Sequence, residues 1–123
     1  MRIILDTHIF LWILSNPRRI DKSKRVEIES LSNSIYVSSI SIAEIMIKSS
    51  IGKLNCNFNP VELAEKSGFE LLDFTAEDAL LLKELPFYHK DPFDRMLISQ
   101  SISNNFPIIT DDEKFKFYDC KII

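Results

Sequence analysis

Twice in this chain a short, unbroken apolar run ends directly in acid. Ile3-Ile4-Leu5 runs into Asp6-Thr7, and Pro107-Ile108-Ile109 runs into Thr110-Asp111-Asp112. A strand that is apolar at every position needs cover on both faces, which is the situation of a central strand in a parallel sheet. An acid at its carboxyl end then sits where open α/β sheets bind their ligands. Asp6 also has a plainer reading, as the N-cap of the next helix.

Between those two runs, helical and extended patterns alternate. After Asp6-Thr7, the spacing of Ile9, Phe10, Trp12 and Ile13 predicts a helix that Asn16-Pro17 stops. A second helix is expected from Asp21 or Lys22 to Leu31, with Arg18, Arg19, Lys22, Lys24 and Arg25 forming a solvated charged start. Ile35-Tyr36-Val37 reads as a strand, and Ser39 or Ser41 as the cap of a helix from Ile42 to about Ser50. A loop over residues 55–60 leads to a helix at Val61 to Lys66, a strand at Glu70 to Phe74, and a Thr75-capped helix at Ala76 to Leu85. A helix from Pro92 to about Ser103, the second acid-ended strand, a short helix and a last strand at Cys120 to Ile123 complete the chain. This alternation predicts a single α/β domain over residues 1–123. Its central, mostly parallel sheet has about four to five strands flanked by helices.

Composition narrows the function classes. A hydrophobic share of 46% with 27% charged residues is that of an ordinary globular protein. The net charge of −3 provides no overall attraction to nucleic acid, so any such contact rests on local basic patches. Cys56 and Cys120 lack metal-ligand spacing and read as reduced thiols. The apolar start is broken by Asp6 and His8, lacks a small-residue cleavage site and is too short to span a bilayer, so the cytoplasm is the expected location.

The densest chemical signal is His89-Lys90-Asp91-Pro92-Phe93-Asp94-Arg95. Asp91 is a good N-cap and Pro92 suits the first helical position. Asp94 falls in the first turn, three and four residues before Leu97 and Ile98, so it is aimed at the rim of the core. Read plainly, it closes a capping box by reaching back to the Asp91 N–H. Glu44 shares a helix face with Ile40 and Ile47, an apolar stripe in which an acid needs a partner; a salt bridge to Lys48 is its plain reading.

If these acids converge, their chemistry is constrained. Two carboxylates about 4 Å apart repel by roughly 4 kcal/mol at an effective dielectric of 20. Several in one cleft stay ionised only if cations share it. Oxygen ligands alone suit hard ions, Mg²⁺ or Mn²⁺, and the phosphate chemistry that such ions support. Aspartate-nucleophile phosphatases want a second Asp two residues after the first, where this chain has His8. Response-regulator receivers want an acid pair near the first strand, and it is absent.

The motifs together resemble the PIN domain, specifically the VapC-type toxins of bacterial toxin–antitoxin pairs. They are I-L-D-T-H at the start, S-x-x-E-I at Ser41 to Ile45, K-x-x-x-G-K-L at Lys48 to Leu54, H-K-D-P-F-D-R-M-L-I-S-Q-S from His89, and I-I-T-D-D at Ile108 to Asp112. The resemblance implies an acidic quartet of Asp6, Glu44, Asp94 and Asp112 that acts in catalysis and holds Mg²⁺ or Mn²⁺. The T-x-D spacing of Thr110 and Asp112 leaves Asp111 outside. Thr7, Ser41, Thr110 and Asp91 are expected in support, Asp91 chiefly as the N-cap. Lys48, Lys90 and Arg95 are the candidate substrate-side cations, the last two either touching phosphate or pairing with acids. His89 is expected to be structural. The implied activity is a metal-dependent endoribonuclease acting on structured RNA such as tRNA, in a homodimer neutralised by a small antitoxin. The alternative is a PIN-like module that binds RNA or protein without cutting.

Overall fold

The computed structural model describes all 123 residues. Strands β1 (Arg2–Leu5), β2 (Ser34–Ser38), β3 (Glu70–Leu72) and β4 (Ile108–Ile109) form one sheet in the order β3-β2-β1-β4, with every pair parallel. The strand predicted at the C-terminus is reduced to one parallel bridge between Ile122 and Ile108. Six helices surround the sheet: α1 (Thr7–Ser15), α2 (Lys22–Glu29), α3 (Ser39–Ser50), α4 (Pro60–Lys66), α5 (Ala76–Leu80) and α6 (Pro92–Asn104).

Strand pleating divides the core in two. Ile3, Leu5, Ile35, Val37 and Ile109 join Ile9, Phe10, Ile45 and Phe69 on one side. Ile4 and Ile108 join Ile40, Leu97, Ile98, Phe115 and Tyr118 on the other. This two-sided burial is why the strands read as continuous apolar runs rather than alternating ones.

Local chemistry sets the element boundaries. Asp91 caps α6 by accepting the Phe93 N–H at 2.8 Å, Pro92 follows, and Asn105 ends the helix in the left-handed region at φ 56°. The cap of α3 is Ser38, which accepts the Ile40 N–H at 3.1 Å, so neither Ser39 nor Ser41 has the expected role. The helix begins earlier because β2 ends in a serine that can take it over directly. Thr75 caps α5 as the sequence predicts, and it does so in a reciprocal capping box with Asp78. That helix stops at Leu80 and tightens into a 3₁₀ turn over Leu81–Lys83. No helix is long and apolar enough to cross a membrane.

One consequence of this topology positions the site. Chain connections leave β1 toward β2 on one side and return to it at β4 on the other, so the order reverses at β1. Ligands of open α/β sheets bind at the carboxyl ends of strands flanking such a switch. The Asp6 N–H donates to the Ile109 carbonyl at 2.9 Å, which puts Asp6 and Thr110 side by side at that edge.

Candidate active site

Asp6 leaves the end of β1 and is almost fully buried. It makes no side-chain cap to α1; instead its Oδ2 accepts the Thr110 hydroxyl at 2.8 Å. Burial is the main reason that its carboxyl titrates above the ordinary range, opposed by the Thr110 bond and by His8, and reinforced by the charge of Glu44. Next to it, the Thr7 and Ser41 hydroxyls share a buried hydrogen bond of 2.8 Å, which ties the start of α1 to the first turn of α3.

Glu44 comes from α3 and is also buried. The expected salt bridge to Lys48 exists, at 2.6 Å to Oε2. It satisfies half of the carboxylate. Oε1 is buried and has no hydrogen-bond partner. An orphaned, buried carboxylate oxygen is costly unless something positive completes it.

Asp94 lies in the first turn of α6 and is partly buried. It does not close the capping box: the Asp91 N–H is not among its partners, and no protein group donates to its carboxylate. Its carboxyl is pushed up to about 7, first by burial and then by the charges of Asp91, Asp6, Glu44 and Asp112. Of the four acids that act on it, Asp91 shares its own stretch of chain and the other three come from three separate ones. Asp94 is the point where the expected quartet meets.

Asp112 follows β4 and is held from several sides. Its N–H donates to Thr110 Oγ1 at 3.0 Å, and its Oδ1 accepts the Lys114 N–H at 2.9 Å. Its Oδ2 lies 2.8 Å from His89 Nε2. The Tyr118 hydroxyl holds the other side of that ring: it accepts the His89 backbone N–H at 2.8 Å and lies 3.1 Å from Nδ1, so the imidazole is fixed between Tyr118 and Asp112. One ligand atom from each of His89, Asp94 and Asp112 falls within 4.8 Å of the others.

The remaining expected residues separate. Asp111 points away and pairs with Lys24 at 2.6 Å. Lys90 is exposed and Lys48 is engaged with Glu44. Arg95 corrects the sequence reading. It neither reaches outward for phosphate nor pairs with an acid; it is 7% exposed, and its guanidinium donates to the carbonyls of Leu82, Leu85, Pro86 and His89. Five fixed donors suit a loop that offers several unpaired carbonyls, whereas a carboxylate takes only two. Tyr118 was invisible in the sequence, because 29 residues separate it from His89 and nothing in its local pattern marks it.

The charges of Asp6, Glu44 and Asp112 all act on Asp94, and the ligand atoms that lie within 4.8 Å of one another are those of His89, Asp94 and Asp112. The orphaned oxygen on Glu44 and the unbonded carboxyl on Asp94 suit a hard divalent cation.

Comparison with known proteins agrees with this fold. The family description "PIN domain" matches residues 3–119. No curated protein matches the sequence. Among solved structures, VapBC2 from Rickettsia felis, bound to a DNA fragment from its promoter, is similar at TM-score 0.76 and 24% identity, covering 100% of this chain and 98% of that one. VapBC-5 from Mycobacterium tuberculosis, a member of the VapBC family of toxin–antitoxin systems, is similar at TM-score 0.61 and 15% identity, covering 99% and 95%. The PIN domain endonuclease Utp24 is similar at TM-score 0.53 and 16% identity, covering 94% and 74%. With the family matched from the first strand to the last turn, on a parallel sheet whose switch point gathers the acids, this chain belongs to the PIN domain family.

Proposed function

We propose that this protein is a Mg²⁺- or Mn²⁺-dependent endoribonuclease, the toxin of a toxin–antitoxin pair acting in the cytoplasm. The observation that carries the reading is the buried, partnerless Oε1 of Glu44 together with an Asp94 carboxyl pushed up to about 7, first by burial and then by its acidic neighbours, Glu44 among them. Such a cluster is costly without a cation and serves no packing purpose.

Asp6, Glu44, Asp94 and Asp112 would hold the ion. When bound, it supplies positive charge that activates water and stabilises the leaving oxygen of a phosphodiester. The rest belongs to the chain. Thr110 orients Asp6, and the Tyr118–His89 pair orients Asp112, so the carboxylates are set before substrate arrives. Lys48, next to Glu44, keeps part of its side chain in solvent and can meet a backbone phosphate; Lys90 is the second exposed cation of the rim.

Fold similarity to VapBC structures supports a small antitoxin as partner. Met46, Ile47 and Ile51 expose apolar surface on and just after α3, which suits protein contact, whether with the antitoxin or in a homodimer. The presence of all four acids favours an enzyme over a PIN-like binding module.

Incubating the purified chain with structured RNAs, tRNA among them, in Mn²⁺ tests the reading. Cleavage is expected from the unsubstituted chain, is lost in Asp6→Asn and in Asp94→Asn, and stops with EDTA. Retardation of RNA without shortening identifies the binding module instead.

A further inference from the structure

Phosphate enzymes that use two metal ions hold them about 3.5–4 Å apart, and carboxylate oxygens have to serve both. In this quartet many of those oxygens are already taken. Thr110 donates to one oxygen of Asp6, and Lys48 to one of Glu44. Asp112 has both engaged, one facing His89 Nε2 at 2.8 Å and the other accepting the Lys114 N–H at 2.9 Å. The carboxyl of Asp94 and the buried Oε1 of Glu44 remain without a protein donor.

Among the lysines and arginines, Lys48 alone forms an ion pair with a member of the quartet, at 2.6 Å from Glu44 Oε2. A Lys–Glu pair one helical turn apart is ordinarily a weak surface contact. Here the glutamate side chain is only 4% exposed, so water cannot take the place of the ammonium. The same ammonium feels the charges of Asp91 and Asp94 at the start of α6. Lys48 therefore joins the acids of α3 to those of α6, while 34% of its side chain still reaches solvent.

Charge then limits how many ions fit. Ionised, the four carboxylates carry four negative charges; one divalent ion and one ammonium answer three of them. A second divalent ion would stand against a fixed charge of its own sign, and the oxygens it needs already have partners in Thr110, His89 and the Lys114 N–H.

We propose that Lys48 does the work of a second metal ion: the site takes one divalent cation per chain, and the Lys48 ammonium supplies the other positive charge that the scissile phosphate meets. The proposal rests on reading the acids as a metal site, and it sets the stoichiometry of that site. A compact ammonium on a flexible stem suits the task, since lysine binds phosphate as a point charge.

Calorimetry and electron paramagnetic resonance of Mn²⁺ test it by counting ions and reading whether they are coupled. The unsubstituted chain is expected to bind one ion, with an uncoupled spectrum. Lys48→Met keeps the apolar stem and removes the charge; it is expected to bind two ions whose spins couple as neighbours. Lys48→Arg, which keeps the charge, stays at one. RNA cleavage below saturation is expected to be first order in Mn²⁺ for the unsubstituted chain and to approach second order in Lys48→Met. Two coupled ions in the unsubstituted chain overturn the proposal, as does a single ion, or an uncoupled second one, in Lys48→Met. Thermal unfolding checks that the methionine chain is folded, and Lys48→Gln carries the same count if it is not. Absence of any bound ion in the unsubstituted chain removes the metal reading itself.

Discussion

A single aspartate reports on the state of the whole site. Unfolded, the Asp94 carboxyl releases its proton near 3.8; folded and metal-free, it holds it until about 7. The folded state therefore binds more protons than the unfolded state throughout that interval, and each rise in pH across it lowers stability. Asp6, raised mainly by burial, acts in the same direction. Thermal unfolding in EDTA is thus expected to show a loss of stability approaching pH 7 that Asp94→Asn flattens. A parallel dependence in the two proteins contradicts the assignment. The tyrosine behind the site has its own signature. Tyr118→Phe strips the acceptor from the buried His89 N–H and the hydrogen-bond partner from Nδ1, which costs about 1–3 kcal/mol in urea unfolding.

The elements differ in how plainly the sequence announced them. The start of α6 was legible residue by residue, because Asp91 and Pro92 act locally and no distant contact competes with them. β1 and β4 were legible as apolar runs, since two-sided burial leaves no polar position in either after the exposed Arg2 that opens β1. The cap of α3 was misplaced by one residue at Ser39 or three at Ser41, since β2 supplies a serine of its own and several nearby serines offer equal chemistry. The role of Arg95 was out of reach for a different reason. Its partners are main-chain carbonyls over residues 82–89, and a carbonyl has no letter in the sequence. Arg95→Met is accordingly expected to destabilise the fold by about 3 kcal/mol, since it removes charged donors from a buried loop. Arg95→Lys recovers only part of that, having lost the planar fork. Equal stability of the methionine variant and the unsubstituted chain, by the same urea unfolding, contradicts this role.

For the molecule as a whole, function follows from where one parallel sheet changes direction. The reversal at β1 sets the ends of β1 and β4 beside each other, and α3 and α6 bring Glu44 and Asp94 to the same edge. The acids are spread over more than a hundred residues of chain, so their convergence is a property of the topology and of no local segment. The central claim is that this edge is a site for a hard divalent cation. Calorimetric titration of Mn²⁺ into the metal-free protein near pH 7 tests it most directly. The account predicts saturable binding that releases protons from Asp94, and that Glu44→Gln and Asp94→Asn each weaken by more than about tenfold. Equal affinity in the doubly substituted chain, or no binding by the unsubstituted one, contradicts it.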